Sequence, residues 1–212
     1  MITQKEQIYR IEVIDVLRGI AILLMILGHS FIVYPVNIAD LSWCKAIQHW
    51  IYTFHMELFF LLAGAVYHCS NFWKFVKNKI LRLGVPYLFF GALTLCMHIF
   101  GGSLVHKDLS LKEGLFDFIF YGGSYWFLYT LFFVFLLYPL IDKVCNTNIK
   151  KILFGLLIIG INSFINLTSL FTIEKIFYYL PYFILGQLLS NLNVWQKLSV
   201  DDDIRGGGDT RV

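Results

Sequence analysis

Long apolar blocks recur along this chain, over about Val13–Val33, Lys45–His68, Val85–Phe100, Tyr125–Ile141, Ile152–Leu170 and Ile176–Trp195. A helix of roughly 20 apolar residues is long enough to cross the hydrocarbon of a bilayer. Inside lipid a single apolar segment must satisfy its own backbone hydrogen bonds, which favours helix over isolated strand. The blocks therefore predict an all-α, polytopic transmembrane helix bundle with six spans. Composition agrees, with 58% of residues hydrophobic and only 15% charged, where a soluble domain carries about 25% charged. A single bundle over residues 1–200 is expected rather than two domains.

The segments between the blocks carry most of the charge. Residues 71–83, NFWKFVKNKILRL, alternate Lys74, Lys77, Lys79 and Arg82 with bulky apolar side chains, the pattern of a basic amphipathic helix at a membrane surface. Leu115–Tyr121 is too short to span and is expected at the interface, set off from the fourth block by Gly122-Gly123. With the N-terminus in the cytoplasm, twelve lysines and arginines fall on the inner side against four on the outer. The positive-inside rule then sets the N-terminus inside, as in a multi-pass protein of a bacterial cytoplasmic (inner) membrane. The first block has no small-residue cleavage site after it, so it reads as a span and not as a signal peptide. Residues 201–212, DDDIRGGGDTRV, are polar and glycine-rich and read as a disordered or foreign tail.

Several function classes fall away. A net charge of +3 is too small to imply nucleic-acid binding. Cys44, Cys69, Cys96 and Cys145 lie in different segments with no C-x-x-C pair, so neither a disulfide framework nor a metal site is readable.

What remains are ionisable groups inside apolar blocks, which cost several kcal/mol unless they face protein or water and so mark function. The first block holds Asp15, Arg18 and His29. Asp15 and Arg18 are three apart and can pair. Eleven helical steps of about 100° bring His29 to within roughly 20° of Arg18, some 16.5 Å along the axis. A neutral imidazole suits a general base, and a guanidinium suits holding phosphate or carboxylate. In the second block His49 and Glu57 are eight apart and share a face of a regular helix, whereas His55 and Glu57 point different ways. Lys79 and Arg82, at i and i+3, form a cation pair able to grip phosphates or anionic lipid. Trp126 opens the fourth block where aromatic residues anchor spans at the interface.

The run from Asp15 to His29 resembles the opening of the membrane-integral acyltransferase family 3, the OafA-like O-acyltransferases, whose first helix carries an arginine-x10-histidine motif. Further similar segments are Phe54-His55-Met56-Glu57-Leu58-Phe59-Phe60 with Ala63-Gly64, Lys79 to Tyr87, Tyr125-Trp126-Phe127-Leu128, and Leu180-Pro181-Tyr182-Phe183 with Leu185-Gly186. The fucose 4-O-acetylase-like subgroup is the most similar. The resemblance implies an integral membrane O-acyltransferase that moves an acyl group, commonly acetyl from acetyl-CoA as co-substrate with no bound cofactor, to a sugar hydroxyl of a cell-surface glycan. It implies His29 as base, Arg18 as a donor- or substrate-orienting cation, and Asp15, Lys79, Arg82, Glu57, His55 and Trp126 as donor- or substrate-binding residues. Glu57 stands where the family has proline. The family bundle has roughly ten spans of about 20 residues, so the six here read as its N-terminal part. Rival readings are an inactive truncated relative, a transporter with a proton path through Asp15, Arg18 and His29, and a haem protein using His29, His49, His55 or His98.

Overall fold

The computed structural model of the protein describes residues 12–30, 41–100, 111–165 and 167–195. Among these residues every regular element is helical. The N-terminal segment, the side chain of His98 and the tail 201–212 lie outside the described residues. The chain divides into two compact units, one built from residues up to Tyr67 and from Tyr182 onward, the other from His68 to Pro181.

The first unit holds α1 (Glu12–Ser30), α2 (Ser42–Tyr52) and α3 (His55–Ala65), with the second half of α9 (Ile173–Asn191). In α1 the buried seam is Ile14, Ala21 and Gly28. These residues are seven apart, and at about 100° per residue they drift only about 20° per step, so they stay on one stripe. Ile14 packs into a cluster with Leu62 and Ala65 of α3 and with Trp195. Two glycines let α3 and α9 cross at backbone contact. A Cβ on Gly64 would run into the carbonyl of Phe183, and one on Gly186 into the carbonyl of Leu61. Small residues at such a crossing allow close approach where no water-driven force draws helices together.

The expected single span over Lys45–His68 is two helices. α2 ends at Tyr52 and α3 begins at His55. Thr53 turns its backbone N–H to the carbonyls of His49 and Trp50 and its hydroxyl to Trp50, and Phe54 leaves the helical region at φ −142°. A threonine that bonds back to its own turn competes with helix continuation.

The second unit holds α4 (Phe72–Lys79), α5 (Val85–Phe100), α6 (Leu111–Tyr121), α7 (Trp126–Val144), α8 (Asn148–Phe164) and the first half of α9. The side chains of Asn71 and Thr147 cap α4 and α8 by accepting from Lys74 N–H and Lys150 N–H, the usual use of these residues at N-caps. The expected surface helix over 71–83 does not stop before the third span. A π-helical turn, Ile80–Gly84, carries α4 straight into α5. Pro86 supplies the reason, since its ring would clash with the Arg82 carbonyl in a regular α-helix and a wider turn relieves that clash. Gly122, at φ 80°, separates α6 from α7 in the left-handed conformation that glycine adopts without strain. Tyr87 of α5 stacks on Phe118 of α6 at 4.5 Å, its hydroxyl donating to the Phe118 carbonyl. Lys151 of α8 is buried and pairs with Asp142 of α7 at 2.6 Å.

Three stretches are long and apolar enough to cross a membrane, Val13–Ser30, Phe72–Met97 and Lys112–Val144. Only 17% of the first and 11% of the second are covered by protein. Apolar faces of that extent are not sustained against water. They suit lipid, and the molecule is an all-α membrane helix bundle.

Candidate functional site

The ionisable residues of α1 keep the arrangement their spacing predicts. Arg18 donates to Asp15 at 3.4 Å, both side chains about a third exposed. Measured by helical steps of about 100° from Ile14, Arg18 and His29 lie roughly 40° and 60° to the same side of the buried seam. Arg18 is half-buried and His29 is exposed.

Around His29 the first unit assembles three rings. The Tyr52 ring meets the His29 imidazole edge-on at 5.9 Å, and the His55 ring lies 5.2 Å from Tyr52 on the other side. His55 is 2% exposed and its Nδ1 sits 2.8 Å from the Ile51 carbonyl. A carbonyl only accepts, so Nδ1 carries the proton in the neutral ring, and Nε2 is then a buried acceptor with no hydrogen-bond partner among the described residues. The break at Thr53 is what turns His55 towards Tyr52 rather than along α2. The same break undoes the expectation that His49 and Glu57 share a face, because the two no longer belong to one regular helix. Glu57 is half-buried in the first turn of α3, where the unpaired N–H groups of the helix start favour a carboxylate.

In the second unit Lys79 and Arg82 stand at the start of the π-helical turn, and their side chains meet different surroundings. Lys79 is half-buried and turns its Nζ onto the Phe135 ring, 3.4 Å from the centroid, with Phe75 at 5.1 Å. Arg82 is exposed. A cation over an aromatic face gains from the ring quadrupole, and Lys79 takes that place while Arg82 stays available at the surface.

Trp126 begins α7 and is more than an anchor. It stacks on Tyr179 at 5.9 Å and 23°, and Lys175 sits over its face at 4.4 Å. Lys175 and Tyr179 are one helical turn apart on α9, so one face of α9 grips the indole. Burial pulls the Lys175 ammonium below the usual lysine range, against the opposing pull of Glu174 and Asp117. Nearby, Phe171 and Thr172 sit at φ 54° and 53°, a conformation rare for bulky or β-branched residues. The Thr172 hydroxyl is held in the interior by Thr130 at 3.2 Å. A cavity of about 330 Å³ opens beside the start of α9, lined by Asn162, Ile165, Leu167, Glu174 and Tyr178. It holds none of the residues that the sequence singled out. Among the described residues no cluster of three or more histidines, cysteines or carboxylates comes together.

Two residues next to the α1 site were not legible as functional. Gln48 and Tyr52 of α2 both donate to the Gly28 carbonyl, each at 3.2 Å. Their i,i+4 spacing was a signal available in the sequence, but nothing local says what that face docks against.

The family model of an acyltransferase domain matches residues 11–206. The Nodulation protein NolL of Sinorhizobium fredii is 32% identical over 129 residues, 58% of this chain and 34% of its own length. The Nodulation protein NolL of Mesorhizobium japonicum is 27% identical over 191 residues, 86% of this chain and 48% of its own length. The chain thus spans less than half the length of either relative. No solved structure matches it. With a match that covers nearly the whole sequence and includes the arginine–histidine helix, the chain belongs to acyltransferase family 3.

Proposed function

We propose that the chain acts within an integral membrane O-acyltransferase that moves an acyl group, in the first instance acetyl, from an acyl-CoA donor to a sugar hydroxyl of a cell-surface glycan. The observation that carries this reading is the placement of Arg18 and His29 on one side of the buried seam of a single membrane helix. A base and a fixed cation about 16 Å apart along one face suit an extended donor with phosphates at one end and a thioester at the other.

In the transfer, His29 accepts the proton of the acceptor hydroxyl as its oxygen attacks the thioester carbonyl. The carbon–sulfur bond breaks, the thiolate of CoA leaves, and the imidazolium returns the proton to it. Such a direct transfer needs no covalent enzyme intermediate, only that base, hydroxyl and thioester meet in a fixed geometry. Arg18, oriented by Asp15, binds or steers negative charge on the donor. Arg82 is the exposed cation for the donor phosphates, and Lys79, set against Phe135, fixes the turn that presents it. His55, through its buried Nε2 acceptor, and Glu57 and Trp126 are further substrate-binding groups. The lysine and arginine bias supports an N-terminus in the cytoplasm, in keeping with a bacterial inner membrane, and with it Arg18 towards the donor side.

Membranes carrying the chain are expected to transfer label from [14C]acetyl-CoA to glycan, and His29→Ala is expected to abolish transfer while insertion stays intact. Undiminished transfer by that variant overturns the role of His29. Binding of acetyl-CoA with no transfer to any glycan instead points to a non-catalytic relative. Mass spectrometry of surface glycans with and without the gene identifies the acceptor.

A further inference from the structure

We infer that Gln48 and Tyr52 are positioning residues for His29, acting through the two hydrogen bonds that α2 gives to the Gly28 carbonyl of α1. The inference rests on the reading of His29 as the base.

The Ser30 hydroxyl donates to the Leu27 carbonyl at 2.8 Å. The Gly28 carbonyl receives two donors from another helix, the Gln48 amide and the Tyr52 hydroxyl, both at 3.2 Å. Gln48 and Tyr52 are four apart and therefore project from one face of α2. They reach the Gly28 carbonyl because residue 28 has no side chain. A Cβ there would stand 3.1 Å from Tyr52 Cε1 and 3.3 Å from Ile51 Cγ2, tighter than ordinary contact. The glycine before the histidine is thus the docking point of α2.

Both donors fasten the peptide unit that leads directly into His29. The Tyr52 ring then meets the His29 imidazole edge-on at 5.9 Å, an arrangement within the preferred range for aromatic pairs. One tyrosine thereby sets two things about the exposed histidine. Its hydroxyl fixes the turn that carries the imidazole, and its ring face restricts the rotation of the side chain. A base held in the right direction contributes more than one free to rotate, since small misplacements cost orders of magnitude in rate. Gln48 and Tyr52 act through His29 and need not touch the reacting atoms.

The test compares Tyr52→Phe, Gln48→Leu and their double variant with wild type in membranes, using acetyl-CoA as donor and whole-cell glycan as acceptor. The double variant removes both α2 donors from the Gly28 carbonyl, and kcat is expected to fall about tenfold with KM for acetyl-CoA within about twofold. A second readout does not depend on turnover. In micelles with 13C-histidine-labelled chain, the His29 Cε1 resonance, assigned by its loss in His29→Ala, is expected to move in Tyr52→Leu and to stay near its wild-type position in Tyr52→Phe, which keeps the ring. An unmoved His29 resonance in Tyr52→Leu overturns the inference. So does wild-type kcat in the double variant when His29→Ala is inactive. Transfer that survives His29→Ala overturns the reading of His29 as base instead, and the resonance alone then decides whether Tyr52 positions His29.

Discussion

The crossing of α3 and α9 makes a prediction whose size follows from the backbone. Substituting Gly64 with alanine puts a methyl on the carbonyl of Phe183, with the carbonyl carbon only 2.8 Å away. Substituting Gly186 does the same at Leu61, whose carbonyl carbon is also at 2.8 Å, with the Ala65 nitrogen at 3.0 Å. The obstacles are backbone atoms, so no rotamer change helps. The carbonyl oxygens stand closer still, so the helices must separate by on the order of 1 Å, a gap that forfeits about half of the attraction across the interface. Phe183 and Leu62, both at 1% exposure or less, lose contacts at once. Overpacking of this kind costs about 3 kcal/mol, the upper end of its usual range. Alanine returns up to about 1 kcal/mol through its better helix propensity, which leaves a net loss of about 2 kcal/mol for either variant. One separation relieves both clashes, so the double variant should lose about as much as each single one and far less than their sum. Gly160→Ala is the control, because a Cβ there meets nothing within 4 Å and the variant should be neutral or stabilised. Reversible unfolding in mixed dodecyl sulfate and dodecyl maltoside micelles measures all four. A neutral Gly64→Ala, or a double variant that loses the full sum, refutes the reasoning.

Two further predictions come from charge in the second unit. Asp142→Asn removes the carboxylate 2.6 Å from the buried Lys151 ammonium and is expected to cost up to about 3 kcal/mol, because a buried charge that loses a close counter-charge is worse off than no pair at all. Adding Lys151→Met should recover most of that loss in the same unfolding assay. Lys175 gives a pH dependence with a defined sign: its folded pKa lies below the ordinary 10.5, so below the folded value the native state holds a partly desolvated charge that the unfolded chain solvates better. That penalty is lifted as pH rises from the folded pKa towards 10.5, and stability rises with it. Lys175→Met should remove this rise, and an unchanged pH profile in that variant would show that another group produces it.

How far the sequence revealed the fold depended on which signals were local. The lengths and apolarity of the blocks are properties of single segments, and they led directly to an all-α membrane bundle. The pairing of Asp15 with Arg18 and the shared side of Arg18 and His29 followed from helical geometry within one element and were equally legible. The break at Thr53 and the π-turn over Ile80–Gly84 were not. Nothing in Tyr52-Thr53-Phe54 is a strong helix breaker, and the hydroxyl of Thr53 acts only because its turn is free to close on it. Pro86 did announce itself, but as the start of a span. Its i−4 clash falls instead on the preceding turn, and the chain answered with a wider helix rather than an end. The first of these misreadings moved side chains, since it separated His49 from Glu57.

The glycines show why the surroundings of the site were harder to read than its principal residues. Gly28, Gly64 and Gly186 each stand where another helix meets the backbone of the helix that carries them. In the sequence they are only small residues inside apolar runs, indistinguishable from Gly160, where an added Cβ would meet nothing within 4 Å. Their meaning lies in what approaches them, and that is a property of tertiary packing. A histidine can be suspected of chemistry from its position in an apolar helix alone. The side chains that would aim it, Gln48 and Tyr52, belong to another helix and reach it through a glycine carbonyl, so their role emerges only when the two helices are placed together. An alanine at residue 28 tests the same point from the other side. It leaves His29 in place yet pushes α2 off the carbonyl before it, and on this reasoning it should impair transfer as the loss of both donors does.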